Sequence, residues 1–170
     1  IRNITRNRFF LDVYNCSRND KKNGTLERVI SETALLCSYP DLYRKDTKTN
    51  FKALNENASI SDFDNLNNLL ARLTASVEKT KDIRSLFNSK HAHIFVTAFK
   101  AFVESGRKDG EFGEFLEWFV NGGKETEIDG KSWEMWDANK ATRDSSVVHG
   151  KIDYLVKVME QYLKEVRQAA

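Results

Sequence analysis

Two histidines, His91 and His93, open the most apolar stretch of the chain, SKHAHIFVTAFKAFVES from Ser89 to Ser105. Imidazole is a common zinc ligand and the usual general base near neutral pH. A zinc pair on a helix needs both rings on one face, as i,i+4 gives, whereas a spacing of two turns them in different directions. No Cys or Glu stands at ligand spacing beside them, so no metal is expected. His149 stands alone near the start of another helix and is read as partly exposed. Glu111, Glu114 and Glu117 repeat every three residues. Carboxylate chemistry needs groups that converge from separate elements in a cleft, so this strip reads as a solvated face. Glu125, Glu127 and Asp129 lack the spacing and glycine of a calcium loop. Cys16 and Cys37 lie on apolar faces without basic neighbours to lower their pKa, and read as reduced core residues. No G-x-S-x-G, P-loop or G-x-G-x-x-G occurs. The chain is therefore expected to hold no catalytic, cofactor or metal-binding residues and not to be an enzyme.

Binding chemistry has two candidates. Arg2, Arg6, Arg8, Arg18, Lys21 and Lys22 gather basic charge near the start and form the nucleic-acid candidate. Its neighbours Phe9 and Phe10 read as buried rather than interleaved for base stacking. Trp133 and Trp136 lie three apart, within reach of Trp118. They form either a stacking platform, a partner's anchor, or a satellite core under a short helix.

These side chains need a scaffold, and the periodicity is helical throughout. Asn3 to Cys16 reads as a first amphipathic helix burying Phe9, Phe10, Val13 and Tyr14. A polar loop leads to a helix capped by Asn23 or Thr25 and stopped before Pro40. Phe51 to Asn57 reads as a short helix. Ser59 or Ser61 starts a long one to about Lys79. A short helix around Asp82 to Phe87 precedes the central apolar one, capped by Ser89 and ended by Gly106. Gly110 to Asn121 is next. Asp129-Gly130 marks a turn or small hairpin, and Ser132 caps a short helix. The last helix runs from Ser145 to about Gln168. Its seam of Val148, Ile152, Leu155, Met159, Tyr162 and Val166 lasts under three heptads, which favours docking over self-association. The fold class is all-α: a single irregular bundle of about seven helices around a central apolar helix. On this reading the apolar side chains are consumed between helices, leaving no pocket where polar groups converge.

The composition agrees. The 170 residues are 40% hydrophobic and 31% charged, with one proline. They are read as a single helical domain, and the start at Ile1 rather than Met suggests a piece of a longer protein. No apolar run approaches the roughly 20 residues that cross a bilayer, so no membrane partner and a cytoplasmic location are expected. Net charge is +2, spread unevenly. Residues 1–52 hold eleven Lys and Arg against six Asp and Glu, or +5. Residues 53–105 balance, and residues 106–170 carry −3. Only the first third would attract a polyanion.

Two stretches carry a resemblance. One is Asn23-Gly24-Thr25-Leu26-Glu27-Arg28, running on to Leu36. The other is Asn121 to Asp144, with Gly130-Lys131-Ser132-Trp133 and Asn139-Lys140-Ala141-Thr142-Arg143-Asp144. Together they resemble the helical region downstream of the ParB/sulfiredoxin-like domain in bacterial and phage-type proteins. That family's N-terminal domain has a D-G-Q-x-R type motif, of which Asp109-Gly110-Glu111 and Asp129-Gly130-Lys131 share only the first two letters. No functional residue is carried over. The resemblance implies a non-catalytic accessory module of a DNA-associated protein whose activity lies upstream. The alternative is a protein-interaction or oligomerisation domain using the final helix or Trp133 and Trp136.

Overall fold

The computed structural model describes residue 1 and residues 3–168. Seven α-helices run through them: α1 (Thr25–Ser38), α2 (Thr47–Asn57), α3 (Ile60–Ser76), α4 (Ala92–Glu104), α5 (Asp109–Val120), α6 (Trp133–Asp137) and α7 (Ser145–Gln161). No strand occurs among the described residues. The turn at Asp129-Gly130 closes only an isolated antiparallel bridge between Ile128 and Lys131. The all-α bundle predicted from helical spacing is the observed fold.

Local chemistry sets the helix ends. Asn23 Oδ1 accepts from the N–H and hydroxyl of Thr25 at 3.1 and 2.6 Å, and Gly24 takes a left-handed φ of 77° at the start of α1. Ser59 and Asp62 form a reciprocal capping box on α3. Ser132 Oγ accepts from the Met135 N–H at 3.4 Å and caps α6. At α4 the expected cap moves by one residue. Asn88 Oδ1, not Ser89, accepts from the N–H groups of Lys90 and His91, at 2.9 and 3.0 Å. Gly106 follows α4 with φ 79°, as its expected role as stop requires.

The first predicted helix is interrupted. Ile4–Arg6 is a 3-10 turn and Phe9–Val13 a π-helical segment, with Asn7 between them in extended conformation. Asn7 accounts for the break. Its Oδ1 accepts from the Phe9 N–H at 3.0 Å, and its Nδ2 donates to the carbonyl and side chain of Asn67 on α3. A side chain that offers the backbone such a bond competes with helix continuation. The buried face is nevertheless the expected one: Phe9, Phe10, Val13 and Tyr14, joined by Ile4. The last helix likewise changes form, with a π-helical segment Tyr162–Arg167 after α7.

Helix α4 is the centre. Ile94, Phe95, Ala98 and Phe99 are wholly buried. It packs chiefly between α1 and α7, with α3 and α5 closing the remaining sides. A chain of rings threads the core: Phe87 to Phe95 at 5.8 Å between centroids, Phe95 to Phe119 at 6.0 Å, Phe119 to Phe115 at 5.7 Å, and Phe112 to Phe99 at 5.0 Å. Tilted and edge-on contacts at this range add to plain area burial. Val148, Leu155, Met159 and Tyr162 of the final seam are buried against the bundle, so that seam docks on its own chain. No helix among the described residues is long and apolar enough to cross a membrane.

One close approach sets the distance between α3 and α5. A Cβ at Gly113 would lie 2.3 Å from the carbonyl oxygen of Ser76 and 2.8 Å from Thr80 Oγ1. Alanine favours a helix interior over glycine by about 1 kcal/mol, but overpacking against backbone costs about 1–3 kcal/mol. Gly113→Ala is therefore expected to lower stability in thermal denaturation. A raised melting temperature would show that the two helices separate freely.

Candidate functional site

Two ionic clusters flank the start of α4. The first centres on Glu32, a wholly buried carboxylate in the middle of α1. Arg28 Nη1 donates to both its oxygens, at 3.1 and 2.9 Å. Arg143, from the segment before α7, donates to Oε1 through Nε at 3.1 Å and Nη2 at 2.9 Å. Spare donors extend the cluster: Arg28 Nη2 reaches the Ser89 carbonyl at 3.2 Å, and Arg143 Nη2 reaches Thr47 Oγ1 at 3.0 Å. Tyr43 is fully buried and donates its hydroxyl to the Arg143 carbonyl at 3.0 Å. One carboxylate thus ties α1 to the start of α2, the turn before α4 and the segment before α7. His93 is sealed beside it, with Nδ1 3.8 Å from Glu32 Oε2, and neither ring nitrogen has a hydrogen-bond partner.

The second cluster centres on Asp137 at the end of α6. Its Oδ1 accepts from His91 Nε2 at 2.7 Å, Lys90 Nζ at 2.8 Å and Lys151 Nζ at 3.2 Å. Lys151 is wholly buried on α7, and its ammonium also stands 5.3 Å over the Trp133 ring. Burial resists ionisation of Asp137. The donors around it overcome that and hold the carboxyl well below the usual range. Burial pushes Lys151 down, opposed by Asp137.

Both histidines are neutral at pH 7. Burial, reinforced by Lys151, pushes His91 down to about 4, against the pull of Asp137. Burial pushes His93 to about 4, against the pull of Glu32. No group of three His, Cys, Asp or Glu side chains arranged to hold a metal occurs among the described residues.

A cleft of about 520 Å³ opens beside the second cluster, lined by Asp82, His91, Lys124, Trp133, Glu134 and Asp137 among others. Polar groups do converge in it, contrary to the expectation from sequence. Local spacing around His91 offers no Cys or Glu partner, whereas Asp137 arrives from 46 residues away. Glu32 and Lys151 do carry a signal in the sequence. Glu32 lies three residues after Val29 and four before Leu36, and Lys151 three after Val148 and four before Leu155. Each is a charge on an apolar stripe, a position that demands a buried partner.

The basic candidates lie elsewhere. Arg6, Arg8, Arg18, Lys21 and Lys22 are all exposed, and Arg2 lies outside the described residues. Arg8 pairs with Asp12 at 2.9 Å on the surface. Arg6, Arg18, Lys21 and Lys22 make no ion pair among the described residues. Arg6 and Arg8 stand on the turns anchored by Ile4, Phe9 and Phe10, and Arg18, Lys21 and Lys22 on the loop before α1.

The tryptophans do not form one platform. Trp133 is 5% exposed, packed on His91, Phe95 and Phe119. Trp118 lies against Tyr162 and leaves no room for a side chain at Gly123. Trp136 covers Gly150, with Lys131 Nζ 4.6 Å over its ring. Glu111 and Glu114 pair with Arg167. Cys16 and Cys37 are free thiols, and burial pushes Cys37 up to about 11.

No protein-family model, curated protein or solved structure matches this chain.

The lowered histidines make stability depend on pH. As pH falls, the unfolded chain protonates them near 6.5, while the folded chain resists to about 4. The unfolded state binds more protons between those values, so stability is full above about 6.5 and is lost as pH falls towards 4. Each histidine contributes a slope of about 1.4 kcal/mol per pH unit within that window. Carboxylates held low by partners act only below about pH 4. Urea denaturation from pH 7 to 5 is expected to show the two-histidine slope. His93→Leu is expected to remove about half of it without loss of stability at pH 7, because it removes two unpaired buried nitrogens. An unchanged slope would place His93 in contact with water.

Proposed function

We propose that the chain is a non-catalytic helical accessory module of a larger DNA-associated protein of bacterial or phage type, touching nucleic acid through its N-terminal basic residues. The observation that carries this reading is a set of four exposed cations that make no ion pair among the described residues, Arg6 on the turn anchored by Ile4 and Arg18, Lys21 and Lys22 on the loop before α1. Cations elsewhere are often spent on carboxylates: Arg72 on Asp109, Lys157 on Asp129, Arg167 on Glu111. Unpaired cations keep their full attraction for phosphate, and binding releases condensed counterions from the duplex. The segment lacks exposed aromatic partners for base stacking, which fits backbone contact without sequence reading. The ParB/sulfiredoxin-like resemblance is consistent with such a role, in which any chemistry would belong to an upstream domain. The alternative, a protein-interaction or oligomerisation module, has less to offer. Trp133 is in the core, and the large exposed apolar side chains Leu11, Ile60, Met135 and Val166 lie on separate elements.

Fluorescence anisotropy with a labelled duplex across a salt series tests this. Four phosphate contacts give a log K against log salt slope of roughly −3.6. The quadruple charge reversal Arg6→Glu, Arg18→Glu, Lys21→Glu and Lys22→Glu is expected to abolish binding while leaving the helical circular dichroism intact. Equal affinity in the variant, or affinity indifferent to salt, would remove this reading.

A further inference from the structure

The loop before α1 holds an Asn-Gly pair whose surroundings favour covalent change. Asn23 and Gly24 are both exposed, so water and hydroxide reach them. Gly24 has a left-handed φ of 77°, and nothing lies within 4 Å of where its Cβ would be. No side chain therefore shields its N–H, and no acceptor takes that N–H among the described residues. Two donors converge on one atom of Asn23. Its Oδ1 accepts from the Thr25 N–H at 3.1 Å and from the Thr25 hydroxyl at 2.6 Å. Its Nδ2 donates to nothing among the described residues. The sequence has a second Asn-Gly pair, Asn121-Gly122, and there the polarity is reversed. Asn121 Nδ2 donates to the Glu117 carbonyl at 2.8 Å, and no donor reaches its Oδ1 among the described residues.

We propose that Asn23 is a self-modification site, at which the side-chain amide becomes a carboxylate without an enzyme. Hydroxide takes the Gly24 N–H proton, and the nitrogen attacks Asn23 Cγ. The new N–Cγ bond pushes the carbonyl electron pair onto Oδ1, where the two Thr25 donors stabilise the developing charge. The tetrahedral centre then collapses: the Cγ–Nδ2 bond breaks, and Nδ2 takes a proton from water and leaves as ammonia. Water opens the resulting cyclic imide to aspartate or isoaspartate. Attack within one residue pair is unimolecular, so proximity stands in for a catalyst. At Asn121 the Glu117 carbonyl holds the leaving nitrogen and the oxyanion has no donor, so the same steps run more slowly there. The product sets a negative charge close in the chain to Lys21 and Lys22. On the nucleic-acid reading, on which this consequence rests, that charge weakens the attraction for phosphate.

The test is peptide-mapping mass spectrometry of the full chain incubated in mildly alkaline buffer, which reads the exchange of an amide for an acid at each asparagine. In the folded chain, conversion at Asn23 is expected to run roughly tenfold ahead of Asn121, less than an oxyanion donor is worth in a water-excluded site. In urea the two rates are expected to converge, because the fold no longer sets the hydrogen bonds. Thr25→Val removes the hydroxyl donor and keeps the shape, and with an unchanged thermal melt it is expected to slow Asn23 several-fold. Equal rates at the two sites in the folded chain, a ratio unchanged by urea, or no slowing in folded Thr25→Val would overturn the proposal. Asn23→Asp carries the charge without the chemistry, and is expected to weaken duplex binding several-fold at low salt. Unchanged binding would remove the consequence for nucleic acid. A chain that binds no duplex at all would fail the nucleic-acid reading, while the mass readout still decides the fate of Asn23.

Discussion

A charge cannot be taken out of water alone, and Glu32 is wholly out of water. Isolated burial of a carboxylate carries a penalty of several kcal/mol even after relaxation. The fold is therefore obliged to bring it cations. Arg28 comes from the same helix, one turn earlier, which costs nothing in topology. Arg143 comes from 111 residues away, and that is the costly and informative contact. It fixes the segment before α7, and through Thr47 and Ser89 the same guanidinium groups fix the start of α2 and the turn before α4. Helix α1 and the segment ending at Asp144 meet at this carboxylate.

The central helix is held between two such clusters. Helix α1 presents Glu32 to one side of α4 and α7 presents Lys151 to another. His93, in the first turn of α4, faces the first, and His91, just before that helix, faces the second. Apolar burial supplies the bulk of the stability, through the rings of Phe95, Phe99, Phe112, Phe115 and Phe119. That packing is directionless in character and tolerates rearrangement. The ionic clusters add geometry: a guanidinium bound to a carboxylate through two nitrogens accepts few alternative arrangements. His91 completes its cluster and His93 does not, so the same residue type is locked in one place and left unpaired in the other.

Much of the fold could be read from sequence because its cause is local. The steps of three and four in Phe63, Leu66, Leu70, Leu73 and Val77 reproduce α3, and Ser59 and Asp62 fix its start. The helix from Thr25 was legible for the same reason. What escaped was non-local. Asn7 interrupts the first helix by binding Asn67, a residue no window around Asn7 contains. The partners of His91 and Glu32 lie 46 and 111 residues away. The placement of Glu32 and Lys151 on apolar stripes announced that partners had to exist, but only the tertiary structure names them.

The most direct measurement is a double-mutant cycle on Glu32→Gln and Arg143→Gln, by urea denaturation at pH 7. If Glu32 is the joint that holds the segment before α7, its loss alone costs about 2–4 kcal/mol, below the full value for a buried pair because Arg143 is partly in water. The two changes then couple by about 1–3 kcal/mol, with the double variant far less destabilised than the sum. Two changes that add to within about 0.5 kcal/mol would mean that the carboxylate and Arg143 act independently, and would contradict the account.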